Sequence, residues 1–229
     1  MGDEWNSFLG RLSKSLTVTF STQTPYLKTL FFFTMCRKIC ASQNRIQYVD
    51  MDLQFTSMLF NLKETEEDLS FLEVYAPPNG RVLQSLTHLL SKVDLGRGGA
   101  IFIDSMNSLQ ELLDDPSKDS DHSGANHKAA IILTLFQSLA ARNSKLLLLS
   151  NVLRSRPHTH EGEVSWEKEA PGGRMIKLKS DISLTIGYSD SNQNRDKIAI
   201  GVSYVAKGLE TDLAVGEKIE LGLDFSTFI

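Results

Sequence analysis

The segment that most constrains this chain is an apolar stretch of strand length, 16–20, followed by a polar segment and a long apolar helical pattern. A strand, a loop ending in Lys-Thr and a helix form the order of a phosphate-binding loop, G-x-x-x-x-G-K-[ST]. Lys28 and Thr29 are present, but the two glycine positions fall on Thr22 and Leu27. Those glycines let backbone N–H groups surround a phosphate without a Cβ in the way. The segment therefore predicts a nucleotide-binding scaffold that has lost part of its phosphate site.

Length and composition indicate a globular protein with one sizeable core. The chain has 229 residues, of which 41% are hydrophobic and 23% charged. These proportions suit a single α/β domain, which we expect to span 1–229 with a lead-in at 1–14. The formal net charge of −4 excludes a strongly basic nucleic-acid binder overall, although a local basic patch remains compatible with it.

The cysteines and the N-terminus indicate a cytoplasmic protein. Cys36 and Cys40 are the two cysteines, spaced four apart on a predicted helix. Two thiols on one helix face are too few for a disulfide framework and are typical of a reducing compartment. Asp3 and Glu4 open the chain without a long apolar segment, so we expect no signal peptide. The apolar helix 27–41 is too short to span a bilayer, and no membrane partner is expected.

Apolar runs of strand length alternate with longer helical patterns through most of the chain. This alternation predicts an α/β fold with a mainly parallel central sheet flanked by helices. The predicted strands are Leu16–Phe20, Ile46–Asp50, Phe71–Tyr75, Ala100–Asp104 and Lys145–Ser150. The predicted helices lie at about 25–42, 53–63, 80–93 and 126–142.

The pattern changes after about residue 175, where short apolar runs are joined by polar turns. These runs predict antiparallel strands added to the C-terminal end of the same sheet. They are Met175–Leu178, Ile182–Ile186, Ile198–Tyr204 and Ile219–Phe225. Two polar segments, 114–126 and 154–173, are predicted as mobile loops, because loops of this length in a compact domain are usually functional or disordered.

Acidic side chains follow two of the predicted strands. Asp50 and Asp52 end one strand, and Asp104 ends another after four apolar residues. One of the first pair could orient a water for attack on a phosphate, or could simply cap the next helix. Asp104 fits a Walker B position, whose carboxylate holds magnesium. Ser150 ends a further predicted strand, at a position that often senses the terminal phosphate.

Together these segments resemble the RecA/RadA recombinase superfamily, including archaeal RadB-like paralogues and KaiC-like ATPases, over roughly residues 10–205. Tyr48–Phe55 is similar to the family's strand ending in Asp-Thr-Glu and a Phe, which places Asp52 at the catalytic glutamate. Ile103–Ser105 resembles its Walker B. Ser150–Pro157 resembles the Thr-Asn-Gln-Val segment, and Pro171–Gly173 the Pro-x-Gly-Gly after the second DNA-binding loop. The resemblance implies a RecA-like P-loop NTPase core, with Lys28, Thr29 and Asp104 at the nucleotide site.

The departures from this family point away from ATP hydrolysis. Both glycines of the phosphate loop are absent, and Asp52 is one methylene shorter than the expected glutamate. Val152 stands where the family has a glutamine, and its side chain cannot form a hydrogen bond. Positioning supplies most of the rate in phosphoryl transfer, so these losses predict a pseudo-ATPase or a slow ATPase. No cofactor is required by the sequence, although ATP with Mg²⁺ could still occupy the degenerate site.

The resemblance also implies that 114–126 and 154–173 face single-stranded DNA. Phosphate contacts from basic residues and a base stacked on a tryptophan would need no sequence code. The candidates are Arg154, Arg156, Trp166, Lys168, Arg174 and Lys177. Four glutamates in the same stretch bring its net charge close to zero, and the first segment is acidic, which leaves DNA binding open. His158 and His160 have no cysteine nearby, and no metal site is predicted.

The sequence therefore favours a RecA-fold recombinase paralogue acting as an accessory factor in recombinational DNA repair. Its expected partners are single-stranded DNA, a recombinase, or homologous RecA-fold subunits in an oligomer. One alternative is a KaiC-like or Elongator-like scaffold that works only through protein assembly. A second alternative is a slow, non-standard ATPase that uses Lys28, Thr29, Asp52 and Asp104.

Overall fold

The computed structural model describes residues 2–13, 16–61, 69–78, 80–92, 99–114, 123–160, 163–169, 173–189 and 197–223. Helices in these ranges are α1 (Gly2–Leu12), α2 (Pro25–Ala41), α3 (Gln54–Asn61), α4 (Val82–Lys92), α5 (Met106–Leu113), α6 (Ser123–Arg142) and α7 (Gly173–Lys179). Strands are β1 (Thr17–Thr22), β2 (Ile46–Asp50), β3 (Leu72–Tyr75), β4 (Ala100–Asp104), β5 (Leu146–Val152), β6 (Arg154–His160), β7 (Glu163–Glu169), β8 (Ile182–Tyr188), β9 (Lys197–Val205) and β10 (Lys218–Gly222). None of the helices in these ranges is both long and apolar enough to cross a bilayer.

One sheet of eight strands organises the molecule, in the order β10-β9-β8-β1-β5-β4-β2-β3. The six strands β8, β1, β5, β4, β2 and β3 each pair in parallel with their neighbours in this order. Strands β9 and β10 are antiparallel additions next to β8. The predicted fold class is confirmed. The parallel arrangement matters for function because it brings the carboxyl ends of β1, β2, β4 and β5 to a single edge, where ligands of open α/β sheets bind.

Two apolar layers cover the faces of this sheet. One layer packs α1 and α2 against one face, and the other packs α4, α5 and α6 against the opposite face. The helix α2 is apolar on nearly all sides, and most of its side chains are buried, as expected for a helix enclosed by a sheet and other helices. Phe31 and Phe32 lie at its centre and contact Phe20 of β1 at ring-centroid distances of 5.1 and 5.5 Å.

Several segments differ from the sequence-based predictions. The prediction of a strand at Met175–Leu178 is wrong, because these residues lie in α7. Among the α7 side chains that the structure describes, Ile176 is buried while Leu178 is 72% exposed, and residues two apart would share one face of a strand. The amide of Gln137 donates to the Lys179 carbonyl at 2.6 Å and so satisfies a backbone acceptor at the end of α7.

The segment 154–173 is also corrected, because most of it is regular structure rather than a loop. Strands β6 and β7 pair as an antiparallel two-stranded sheet, followed by the start of α7. For 114–126, residues 115–122 lie outside the described residues, and 123–126 begin α6. The lead-in 1–14 is largely the helix α1, whose Trp5 and Phe8 are buried against Phe31.

Candidate functional site

Three carboxylates meet at the carboxyl edge of the sheet. Asp50 and Asp104 end β2 and β4 and are direct partners in the register of these strands. Asp52 follows two residues after the end of β2. Each residue offers a carboxylate oxygen, and the three oxygens lie within 4.8 Å of one another. Asp50 and Asp104 are fully buried, so the cluster is an acidic site in a low-dielectric environment.

The ammonium group of Lys28 lies in this acidic cluster. Its Nζ is 2.7 Å from Asp52 Oδ2 and 2.5 Å from Asp104 Oδ1, and the Lys28 side chain is 1% exposed. Lys28 reaches the cluster from the first turn of α2, because that helix begins at Pro25, after only two residues that follow β1. The structure thus joins Lys28 and Asp104, which the sequence placed at a degenerate nucleotide site, to Asp52, which it placed at the catalytic-carboxylate position.

Neutral donors also bind the two buried carboxylates. Tyr48 Oη donates to Asp104 Oδ2, and Ser150 Oγ donates to Asp104 Oδ1, both at 2.5 Å. Thr56 donates to Asp50 Oδ2 through its backbone N–H at 2.7 Å and its hydroxyl at 2.6 Å. Asp50 Oδ1 is buried with no hydrogen-bond partner in the described part of the chain. The cluster therefore retains one unused carboxylate oxygen.

Burial and neighbouring charges shift the protonation equilibria of this cluster. Burial raises the pKa of Asp104 despite the charge of Lys28, and burial raises the pKa of Asp50 although Thr56 donates to it. Burial lowers the pKa of Lys28, but the charges of Asp104 and Asp52 outweigh it and leave a net increase. Burial also raises the pKa of Tyr48, so its phenol keeps the proton that it donates to Asp104.

The loss of stability caused by Asp50→Asn, measured against wild type at the same pH, should become smaller as the pH rises. The folded-state pKa of Asp50 lies above its ordinary value of 3.8, so the folded protein holds this proton more tightly than the unfolded chain. The wild-type free energy of unfolding therefore loses this contribution as pH rises from 3.8 through the raised pKa. Asparagine keeps an oxygen for the bonds from Thr56 and carries no charge. Urea unfolding of both proteins across this pH range measures the difference in their free energies of unfolding. A difference that does not change with pH would contradict a raised pKa of Asp50 in the folded protein.

The phosphate-loop segment does not form a phosphate cradle. Only Gln23 and Thr24 connect β1 to α2. Thr22, at the first glycine position, is paired with strands on both sides, and Leu27, at the second, is buried in the core. A P-loop needs several free N–H groups around the phosphates, and this two-residue turn does not supply them.

The Lys-Thr pair is likewise engaged within the protein. The backbone N–H of Lys28 donates to the Thr24 carbonyl, and its ammonium is bound to two aspartates. The hydroxyl of Thr29 donates to the Pro25 carbonyl and to Gln54 Oε1, each at 3.2 Å. The groups that would hold the phosphates and Mg²⁺ of ATP are thus committed to internal contacts, so the residues present do not fit a P-loop nucleotide complex.

An open cavity lies beside this cluster, between the start of α2 and α3. Its volume is about 780 Å³. Its mouth carries Tyr26 and Leu53, which are 56% and 53% exposed. The backbone of Leu53 has a φ of 62°, a strained conformation for a branched residue. The lining residues are Thr24, Pro25, Tyr26, Thr29, Asp52, Leu53, Gln54, Ser57, Met58 and Asn61.

The β6–β7 hairpin follows directly from the end of β5 and is the second candidate surface. Its register pairs Arg154 with Glu169 and Arg156 with Glu167. Opposite charges on directly paired residues attract each other across an antiparallel ladder. The register therefore sets basic positions of β6 opposite acidic positions of β7. The next pair along the same ladder is Pro157 with Trp166.

The described DNA-binding candidates differ in whether their side chains already contact other residues. Arg154 is ion-paired with Glu111 of α5, and Lys168 donates to the side chain of Gln23. Trp166 is 68% exposed, which leaves its ring accessible. Arg156 lies on β6, and Arg174 and Lys177 on α7; their side chains lie outside the described residues.

Solved structures provide the comparison that identifies the fold. No protein-family model matches the chain, and no curated protein matches its sequence. A RadB recombinase structure matches with a TM-score of 0.66 at 13% identity, covering 98% of this chain and 95% of that one. A second solved structure, an ATPase domain, matches with a TM-score of 0.59 at 11% identity, covering 94% of this chain and 83% of that one. The chain has a RecA-like fold.

A third RecA-like match is a DnaB-like replicative helicase whose structure was determined with its primase interactions. The TM-score is 0.56 at 11% identity, covering 90% of this chain and 54% of that one. At such identities the similarity establishes the fold and leaves the activity to be argued from the residues. Within the RecA-like frame, Lys28, Asp52 and Asp104 meet at the edge of the sheet where the sequence placed them.

The contacts among these residues differ from the sequence-based prediction. It placed Lys28, Asp52 and Asp104 around a ligand, whereas the structure joins them directly. A signal for this arrangement was present, since a lysine without flanking glycines and two strand-end aspartates form a charge-complementary set. Tyr48 is a further missed member, visible as the one hydroxyl-bearing side chain in the apolar middle of β2.

Proposed function

We propose that this protein is a RecA-fold recombinase paralogue that acts as an accessory factor in recombinational DNA repair. In this role it binds single-stranded DNA, a recombinase partner or both, and does not depend on ATP hydrolysis. The likeness in fold to the RadB recombinase over nearly the whole of both chains supports the class. The observation that carries the proposal is the engagement of Lys28 by Asp52 and Asp104.

The internal ion pairs support a role without catalysis. Phosphoryl transfer depends on a lysine that contacts the phosphates and a carboxylate that orients water or holds the metal. In this chain the lysine is ion-paired with those carboxylates. The two-residue turn before α2 also lacks the glycines that allow backbone N–H groups to surround a phosphate. These features favour an accessory role over the slow ATPase.

The position of the hairpin supports contact with a nucleic acid. The hairpin lies beyond the carboxyl end of β5, and the bond from Lys168 to Gln23 ties it to the turn after β1. Trp166 is exposed on β7, where its ring can stack on a base without regard to sequence. Binding of this kind combines stacking with phosphate contacts and weakens as salt increases.

Trp166→Ala should weaken binding of single-stranded DNA by about 5- to 150-fold, because one stacked base contributes about 1–3 kcal/mol. Fluorescence anisotropy with a labelled mixed-sequence oligonucleotide, repeated across a salt series, measures both the affinity and its salt dependence. Tyr188→Ala is the matched control, since Tyr188 is also an exposed aromatic residue, 54% exposed, and lies on β8. Equal effects of the two substitutions would show that stacking on Trp166 does not contribute.

Association with a recombinase is measured separately, by light scattering of the purified chain with and without a RecA-fold recombinase. Binding to either the oligonucleotide or the recombinase supports the proposal. No salt-dependent DNA binding together with no recombinase association would remove it.

The charge balance of the hairpin favours a second candidate, a scaffold subunit that works only by protein assembly. The register sets acidic positions of β7 opposite the basic positions of β6, and Arg154 is ion-paired with Glu111, which weakens its attraction to phosphates. This candidate predicts a defined oligomer by light scattering whose size is unchanged by oligonucleotide. A change of mass on adding DNA favours the accessory factor instead.

A further inference from the structure

The acidic cluster at the carboxyl edge carries more negative charge than its surroundings neutralise. Asp50, Asp52 and Asp104 supply three carboxylates, and Lys28 supplies the one ammonium that the described contacts place among them. Like charges this close in a buried site repel strongly, because the low dielectric strengthens the interaction. A cation at this position therefore stabilises the cluster.

The geometry around Lys28 is that of an oxygen-ligated cation. Its Nζ lies 2.5 Å from Asp104 Oδ1 and 2.7 Å from Asp52 Oδ2. Asp50 Oδ1 is fully buried and has no partner in the part of the chain that the structure describes. Three carboxylate oxygens within 4.8 Å of one another form a hard oxygen donor set, which is the kind that magnesium and calcium prefer.

We propose that the ammonium of Lys28 is the resident cation of this cluster and takes the place of a divalent metal ion. It ties the start of α2 to the segment after β2 and to the end of β4, and so stabilises this edge without a bound ligand. This inference goes beyond the proposed function, because it concerns what stabilises the edge and holds whether the partner is DNA or protein.

If the Lys28 ammonium takes the place of a metal ion, a divalent ion should be able to replace it. Removing the ammonium leaves three carboxylates around a space that a cation occupied. A divalent ion supplied from solution should then occupy that space and restore stability by binding only the folded state. In the wild-type protein the same ion should find the position taken, so divalent ions should have no specific effect on it.

The test is thermal unfolding of wild type and Lys28→Ala in EDTA and in increasing MgCl2, MnCl2 or CaCl2, with ionic strength matched by NaCl. We expect Lys28→Ala to unfold at a lower temperature in EDTA and to recover progressively with divalent ions. Wild type should show no such recovery. Lys38→Ala, a substitution further along the same helix, is the matched control and should behave as wild type.

The double variant Lys28→Ala/Asp104→Asn identifies the ligands. Loss of one charged ligand should abolish the recovery by divalent ions if Asp104 holds the metal. Recovery that survives this substitution would overturn the assignment of the site. Recovery of the wild-type protein at the same concentrations would equally overturn the proposal, because Lys28 would then not exclude the metal.

Lys28→Met keeps the experiment decisive if Lys28→Ala fails to fold in EDTA. Methionine retains much of the apolar stem that packs under the ammonium and removes only the charge. Refolding from urea with and without MnCl2 then reports the same competition, with Mn²⁺ bound by the variant measured directly by electron paramagnetic resonance. If neither variant binds Mn²⁺ or gains stability from divalent ions, the proposal fails. Oligonucleotide affinity, measured in parallel, is independent of this outcome, so failure here leaves the proposed function untouched.

Discussion

Asp104→Ala should lower the free energy of unfolding by about 3–5 kcal/mol, because it breaks a buried ion pair and leaves buried donors without their acceptor. Asp104 is fully buried and accepts from Lys28, Tyr48 and Ser150. Alanine would leave the ammonium with Asp52 alone and would orphan two buried hydroxyl donors. Urea unfolding at neutral pH, with the slope of the transition checked against wild type, measures the change.

Asp52→Ala is the matched control for this prediction. Asp52 contacts the same ammonium, but its side chain is 16% exposed, so water can replace part of the lost interaction. Its removal should therefore be clearly less destabilising. The double variant Lys28→Met/Asp104→Ala should lose less stability than the two single variants added together, since it removes both charges. Strict additivity would mean that the pair is not coupled.

The direction of the Asp104 effect separates a structural role from a catalytic one. Residues kept for catalysis are often held in unfavourable surroundings, and replacing them commonly raises stability at the expense of activity. A carboxylate saturated by three internal donors should behave in the opposite way. A more stable Asp104→Ala protein would therefore indicate a site still shaped for a ligand and would weaken the accessory role proposed for this chain.

The sheet was predictable from the sequence because its central strands are continuous apolar runs that end in polar residues. The predicted bounds Ile46–Asp50 and Ala100–Asp104 agree with β2 and β4. The error at Met175–Leu178 arose because a single short apolar run fits a strand and one turn of helix equally well. The choice there depended on tertiary contacts such as the bond from Gln137 to Lys179, which periodicity does not contain.

The candidate site was predictable as a location but not as a set of contacts. Strand-end positions placed Asp52 and Asp104 at one edge, as parallel topology requires. The direct pairing with Lys28 depends on the short turn before α2, which sets how far into the helix the lysine lies. The hairpin was missed for a related reason. Its strands β6 and β7 are rich in charge and contain Pro157, which local propensity assigns to a loop.

Gly99→Ala should lower the free energy of unfolding by about 2–5 kcal/mol, combining backbone strain with a steric overlap. Gly99 has a φ of 88°, and a Cβ there would lie 2.0 Å from the Arg45 carbonyl oxygen. That oxygen also accepts from Ala100 N at 3.1 Å, at the entry to β4. Since β4 ends in Asp104, a shift of this entry would reach the buried ion pair. Thermal and urea unfolding of the variant measure the loss.

Gly208→Ala separates the two contributions to this effect. Gly208 has a similar φ of 81°, but a Cβ there would meet no atom within 4 Å, so this variant carries the backbone strain alone, about 1–2 kcal/mol. The excess loss in Gly99→Ala then reports the contact with Arg45, which holds β4 in register with the residues before β2. Equal losses in the two variants would show that the backbone around Arg45 relaxes freely. The position of Asp104 would then not depend on how tightly the chain passes Gly99.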